Sequence, residues 1–178
     1  EAVGGKLPVV MNIAEQTTSK AVALAEQAEA EGANGLMLLP PMRYKATDEE
    51  TVSYFSSVAA STSLPIMIYN NPVDYKIEVT LDMFEQLSVY ENINAVKEST
   101  RDTTNITRML NRFGDRFSIL CGVDTIAMEC LMMGARGWVA GLVDAFPEET
   151  VALYTYCKVG EWEKARLLFR WFLPLLED

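Results

Sequence analysis

The sequence predicts an α/β fold built on a parallel sheet, and within that class a (β/α)8 TIM barrel. Three observations carry the prediction. Short β-type runs, apolar almost throughout, alternate with longer amphipathic stretches from end to end, the pattern of parallel strands covered on both faces. Gly32-Ala33-Asn34-Gly35-Leu36-Met37 is echoed by Gly134-Ala135-Arg136-Gly137-Trp138-Val139, each a helix exit feeding a strand, about three βα units of ~30 residues apart. Polar, reactive side chains follow several strands rather than one: Asn12; Tyr69, Asn70 and Asn71; Lys97, Glu98, Ser99 and Thr100; Asp124; Asp144. An open doubly wound sheet gathers its ligand at a single switch point, whereas a barrel brings the carboxyl ends of all its strands to one mouth, so this distribution favours the barrel.

The strand candidates are residues 7–13, 35–39, 65–69, 93–97, 117–122 and 137–143. Between them the helices carry their own signals. Ser19 precedes an Ala-rich helix through Val22, Leu24 and Ala28 that stops at Gly32. Thr47 and Glu50 have capping-box spacing before Val52, Tyr54 and Phe55. Thr80 heads a helix with Met83, Phe84 and Leu87, and the helix through Ile106 and Leu110 ends at Gly114. Asp124 is placed to cap the next helix, which ends near Gly134. Pro147 with Glu148 and Glu149 reads as a helix first turn, Pro at a tolerated position and acids at the positive dipole end. Gly160 separates this helix from a last one rich in Trp162, Leu167, Phe169, Trp171 and Phe172.

Six strands fall short of eight, and a closed barrel of this type typically needs about 250 residues. The expectation is therefore that the 178 residues hold strands 3–8 with their helices, and that the first two βα units lie outside the chain. Residues 1–160 would form the partial barrel, and 161–178 would begin a C-terminal helical extension of the same structural unit.

Composition narrows the function classes. The apolar fraction is 49% and the charged fraction 22%, ordinary for a globular protein, while the net charge of −10 disfavours nucleic acid and anionic membrane as partners. No apolar run approaches the roughly 20 residues of a bilayer span, and no signal-peptide pattern opens the chain, so a cytoplasmic protein is expected. Cys121, Cys130 and Cys157 are odd in number and sit in apolar surroundings, which reads as buried free thiols rather than a disulfide or zinc site. The absence of histidine removes Ser-His-Asp and Cys-His catalysis and His-based metal sites. There is no GxGxxG, Walker or paired-Cys motif, so the expected chemistry needs neither metal nor nucleotide nor other cofactor.

Several side chains have the right character for catalysis. Lys97 closes its strand, and an apolar site lowers a lysine pKa and releases the neutral amine that attacks a carbonyl; the competing reading is a lysine paired with Glu98 or another acid. Tyr69, entering Asn70-Asn71-Pro72, can shuttle protons, or can pack with its hydroxyl on a backbone partner. Asn70 and Asn71 suit a turn. Asp124 can bind a substrate group or cap a helix, and Gly122 permits close backbone approach or merely a turn. The acidic triplet Asp48, Glu49 and Glu50 reads as solvated partners of a helix dipole, and Met132-Met133 and the aromatic last helix as core or subunit interface.

Five segments, in this order, resemble the dihydrodipicolinate synthase and N-acetylneuraminate lyase family of class I aldolase-like barrels: Pro40-Pro41, Ile68-Tyr69-Asn70-Asn71-Pro72, Val96-Lys97-Glu98-Ser99, Cys121-Gly122-Val123-Asp124 and Gly137-Trp138-Val139. The resemblance implies a Schiff-base role for Lys97, a proton-shuttling role for Tyr69, and substrate contacts at Ser99, Gly122, Asp124 and Val139. It also implies a Gly-Thr-Thr-Gly-Glu-type carboxylate loop after the second barrel strand, absent from this sequence in keeping with the strand count. A second tyrosine that the family lends across a dimer interface falls on Arg43, with Tyr44 next; either Tyr44 takes that role or Arg43 binds a carboxylate. Where synthases proper carry an arginine two residues beyond the Tyr-Asn-x-Pro proline, Asp74 stands here. The segments around 40–46 and 69–73 look most like the 1-pyrroline-4-hydroxy-2-carboxylate deaminase branch.

The leading expectation is a Schiff-base lyase or deaminating enzyme for a small 2-oxo acid or cyclic imine, forming a homo-oligomer, dimer or tetramer. Dihydrodipicolinate synthase, or another pyruvate-dependent aldolase of the family, is the alternative within the class. A non-catalytic 2-oxo-acid-binding barrel, and an open α/β sheet with a nucleotide at its switch point, are the alternatives outside it.

Overall fold

The computed structural model describes residues 3–41 and 44–177. Its elements alternate as the sequence predicts: β1 (Val10–Ile13), α1 (Thr18–Ala30), β2 (Gly35–Leu38), α2 (Asp48–Ser61), β3 (Ile66–Asn70), the one-turn α3 (Pro72–Tyr75), α4 (Leu81–Leu87), β4 (Ile93–Glu98), α5 (Thr104–Phe113), β5 (Ser118–Cys121), α6 (Ala127–Met132), β6 (Gly137–Trp138), α7 (Pro147–Lys158) and α8 (Trp162–Glu177). The six strands follow one another in chain order in a single sheet. The β1/β2, β2/β3 and β5/β6 pairs are parallel, so the fold is α/β with a parallel sheet. No helix among the described residues is long and apolar enough to cross a membrane.

Two compact units divide the chain between Val96 and Lys97. In residues 1–96 the register sets Val10 opposite Gly35 and Leu36 opposite Ile66. Side chains alternate along β3, so Ile66, Ile68 and Asn70 are buried while Met67 and Tyr69 are half-buried on the other face. Against these strands α1 lays Ala21, Ala25 and Ala28, a smooth helical stripe that admits close approach, and α2 lays Tyr54, Phe55 and Val58. The capping box forms as expected: Thr47 Oγ1 accepts from the Glu50 amide at 3.2 Å, and the Glu50 carboxylate accepts from the Thr47 amide at 2.8 Å. Asp48, Glu49 and Glu50 occupy the first turn of α2. Thr80 caps α4 through the Met83 amide.

Residues 97–178 are built on β5, β6 and the helices that follow. Leu153, Cys157, Ala165 and Phe169 form a buried cluster between α7 and α8, with Trp138, Leu131 and Trp162 packed against it. Phe146 meets the rings of Trp171 and Phe172 edge-on at 5.8 and 6.0 Å. Phe169 and Phe172 are core, whereas Trp171, Met132 and Met133 are exposed. The three cysteines are buried free thiols, and the Cys121 thiol donates to the Val123 carbonyl at 3.2 Å.

The internal echo has a structural basis. After α1 the Ala33 amide reaches back to Ala28 O at 2.9 Å with Gly32 at φ +83°; after α6 the Ala135 amide reaches Cys130 O at 3.0 Å with Gly134 at φ +107°. Both are Schellman stops, which need the left-handed conformation that glycine adopts without a Cβ penalty. In each repeat the second residue after the glycine donates to the β segment before the helix: Asn34 to Val9 O, just ahead of β1, and Arg136 to Ile119 O in β5, both at 2.8 Å.

Several boundaries differ from the sequence prediction. β1 begins at Val10 rather than at residue 7: Pro8 has no amide to pair, and the Val9 amide goes to the Asn34 side chain at 2.8 Å. Helix α1 starts at Thr18 after Thr17, with no side-chain cap, and Ser19 lies inside it. The sixth strand, expected over 137–143, ends at Trp138, and Leu142–Asp144 turns into a 3-10 helix. Asp124 is the cause. It opens a short 3-10 turn (Asp124–Ile126) instead of capping a helix, and its carboxylate accepts from Trp138 Nε1 at 2.8 Å and from the Gly141 and Leu142 amides at 3.1 and 3.3 Å. Amides that would have extended β6 are captured there.

Candidate active site

Polar side chains collect in two places, one in each compact unit. In the first, β3 delivers Tyr69 and Asn70 and the chain then turns through Asn71-Pro72. Asn70 is fully buried, and its amide brackets Val79, accepting from the Val79 amide at 2.9 Å and donating to its carbonyl at 3.3 Å. It is therefore the last residue of a strand and an internal clamp rather than a turn former. Asn71 is the N-cap of α3: its Oδ1 accepts from the Asp74 amide at 3.2 Å, and Pro72 fills the first helical position, where no amide is needed. The other end of the Asn71 side chain donates to Asp74 Oδ2 at 2.7 Å and to the Tyr69 phenol oxygen at 3.1 Å. Asn71 thus ties the carboxylate and the phenol together and fixes the phenol as acceptor in that bond. Tyr75 packs edge-on against the Tyr69 ring at 5.5 Å; burial, then Tyr69 and Asp74, push its phenol above the ordinary value.

Tyr44 lies in the same unit. It is 67% exposed and lines a cavity of about 520 Å³ with Gln16, Thr17, Pro41, Glu49 and Tyr54, at the starts of α1 and α2. Arg43 lies outside the described residues.

The second cluster is built on β4, β5 and the exit of β6. β4 runs one residue further than expected, so Lys97 lies inside the strand, half-buried, between buried Val96 and Glu98. The Glu98 carbonyl accepts from the Gly122 amide at 2.8 Å, and the Cys121 carbonyl accepts from the Val139 amide at 2.9 Å. These two bonds carry the level of Lys97 across Gly122 to Val139. Gly122 is needed for space: a Cβ there would stand 2.0 Å from Ser99 Oγ, 2.7 Å from Lys97 Cγ and 3.0 Å from Lys97 Cε. The Lys97 stem and the Ser99 hydroxyl therefore converge over the bare backbone of residue 122.

Around them the polar groups are anchored. Glu98 is buried, and its two oxygens accept from the Thr100 amide at 2.8 Å and from Asn105 Nδ2 at 2.9 Å. Asp124 holds the exit of β6 through Trp138, Gly141 and Leu142. Ser99 Oγ is buried and has no hydrogen-bond partner among the described residues. The sequence reading missed Asn105 and Trp138, whose partners Glu98 and Asp124 lie 7 and 14 residues away. Among the described residues no group of three or more His, Cys, Asp or Glu is gathered to hold a metal ion.

A parallel α/β sheet with a lysine set inside one strand, over a glycine, beside a buried hydroxyl, defines a class of protein suited to carbonyl chemistry on a small ligand. Across residues 1–178 the sequence matches the dihydrodipicolinate synthetase family, and the chain belongs to that family. It is 29% identical over 168 residues to the 4-hydroxy-tetrahydrodipicolinate synthase of Geobacter metallireducens, covering 94% of this chain and 58% of the relative. The crystal structure of dihydrodipicolinate synthase from Aquifex aeolicus superposes with a TM-score of 0.94 at 29% identity, over 98% of this chain and 60% of that one. The wild-type sialic acid aldolase of Ruminococcus gnavus superposes with a TM-score of 0.88 at 25% identity, over 93% of this chain and 56% of that one. The chain thus spans about 60% of the length of the relatives it matches.

Proposed function

We propose that the protein is a lyase that forms a Schiff base between Lys97 and the keto group of a small 2-oxo acid. The observation that carries this reading is the packing of the Lys97 stem and the Ser99 hydroxyl against Gly122, where a Cβ would collide with both. The amine lone pair bonds to the carbonyl carbon, the carbonyl oxygen leaves as water, and the resulting iminium acidifies the adjacent carbon. In this reading Tyr69 moves the proton, with Asn71 orienting the phenol. Ser99, Gly122 and Val139 line the substrate, Asp124 holds the exit of β6, and Tyr44 or Arg43 supplies the second-tyrosine function. The six strands then correspond to strands 3–8 of a (β/α)8 barrel, and α8 begins the helical extension beyond it. A cytoplasmic homo-oligomer that needs neither metal nor nucleotide completes the reading.

For the substrate, the names of the relatives support dihydrodipicolinate synthase chemistry. One observation favours the second reading, a deaminase acting on a hydroxylated cyclic imine. Asp74, tethered to Asn71, puts a carboxylate where a synthase would present an arginine to its acidic substrate.

Borohydride trapping of the full chain with pyruvate, and separately with 1-pyrroline-4-hydroxy-2-carboxylate, tests the proposal. The expected result is a mass adduct on the Lys97 peptide, lost in Lys97→Ala with folding intact. No adduct with either compound overturns the lyase reading, and reversible binding without an adduct marks a non-catalytic binding protein instead.

A further inference from the structure

We infer that Ser99 is a catalytic residue whose hydroxyl hydrogen-bonds the oxygen on the carbon that Lys97 attacks; the inference rests on the Schiff-base reading above. A buried hydroxyl without a partner is unfavourable for folding, and native proteins seldom keep one. Ser99 is 2% exposed, and its Oγ has no partner among the described residues. Its neighbours show the opposite. Both oxygens of Glu98 are bonded, and Thr100 Oγ1 accepts from the Asp102 amide at 3.3 Å. The hydroxyl also borders the lysine stem, since one point over Gly122 lies 2.0 Å from Ser99 Oγ and 3.0 Å from Lys97 Cε.

The chemistry follows from what a serine has: one proton to donate and two lone pairs. Among the described residues no acid or base is bonded to Oγ to take its proton, so it is not an activated nucleophile. It serves as a donor. As the Lys97 lone pair forms the C–N bond, the C=O π pair moves onto oxygen, and a hydrogen bond from Ser99 stabilises the charge developing there. The new ammonium nitrogen releases a proton and the oxygen takes one up, which gives the neutral carbinolamine and restores the nitrogen lone pair. When the C–O bond breaks, the nitrogen lone pair forms the C=N bond and the oxygen, protonated again, departs as water. Ser99 ends the sequence with its own proton. The carbonyl group of a 2-oxo acid thereby supplies the acceptor that the hydroxyl lacks.

Single-turnover borohydride trapping with pyruvate, run on the full chain and on Ser99→Ala, reads the effect alongside a denaturant midpoint for each. Ser99→Ala is expected to reach the same final adduct on Lys97 at a rate lower by on the order of 100-fold, with a midpoint equal to or above that of the parent. A parent that traps pyruvate while Ser99→Ala traps it equally fast overturns the role of Ser99 and leaves the Schiff base standing. A slower variant whose midpoint has also fallen makes Ser99 a structural group and overturns the inference. A parent that forms no adduct overturns both.

Discussion

At the end of β3 the buried polar side chains are tied to partners, whereas at the end of β4 one is not. Asn70 is clamped to Val79, and Asn71 to Asp74 and Tyr69. Past β4, Glu98 is as fully anchored, but Ser99 beside it keeps a hydroxyl without a partner among the described residues, next to the lysine stem. The two strand ends are made from the same kinds of residue. The difference lies in whether folding or a ligand uses the polar atoms: satisfied groups hold the chain in place, and an unsatisfied one is retained only where something else benefits.

The largest expected effect on stability is at the satisfied end. Asn70→Ala removes the partner of both the Val79 amide and the Val79 carbonyl, in a residue that is itself buried. Two buried backbone groups left unpaired correspond to a loss of about 3 kcal/mol, measured as a fall in the urea midpoint at unchanged slope. A loss below about 0.5 kcal/mol would break the comparison, because Asn70 would then be no more structural than Ser99 is expected to be.

Next in size is the space shared by Lys97 and Ser99. Gly122→Ala places a methyl 2.0 Å from Ser99 Oγ and 2.7 Å from Lys97 Cγ, and overpacking of this kind costs about 2 kcal/mol. Adding Ser99→Ala relieves the shorter clash only in part, because a methyl replaces the hydroxyl. A Ser99→Gly background relieves it more fully, and the double-mutant cycle is expected to show a favourable coupling of about 1 kcal/mol. Strict additivity would mean that the two residues do not compete for one space.

Much of this was legible in the sequence, for identifiable reasons. The alternation of strands and helices, the capping box at Thr47 and Glu50, and the stops at Gly32 and Gly134 depend on residues within a few positions of one another, and they appear where the pattern placed them. The lysine and the tyrosine were singled out because strand-end reactive groups are visible in order. What the sequence concealed depends on distant partners. The length of β6 is set by the Asp124 carboxylate, which competes for the Gly141 and Leu142 amides from 17 and 18 residues away. The same bonds turned the expected helix cap into a clamp on the exit of β6. Ser99 is the same case in reverse, since no local pattern reveals that a hydroxyl has been left without a partner.

The smallest effect tests the backbone of the β4 exit. Arg101 follows Ser99 by two residues and adopts φ +64°, the left-handed region in which a Cβ crowds the following carbonyl. The turn is held from its far side, where Asp102 Oδ1 accepts from the Thr104 amide at 2.9 Å and from its hydroxyl at 2.6 Å. Arg101 is exposed, so its side chain adds no buried packing to offset the strain. Arg101→Gly removes the Cβ and is expected to stabilise the protein by about 1 kcal/mol, less a few tenths for the greater freedom of glycine in the unfolded chain. The exit of α3 supplies the control, because Lys76 adopts φ +61° after the β3 turn, and Lys76→Gly should yield a gain of the same sign. If only Lys76→Gly is stabilising, the Arg101 side chain contributes an interaction that compensates its backbone. The β4 exit would then differ from the β3 exit in a second way, with backbone strain as well as an unpartnered hydroxyl maintained beside Lys97.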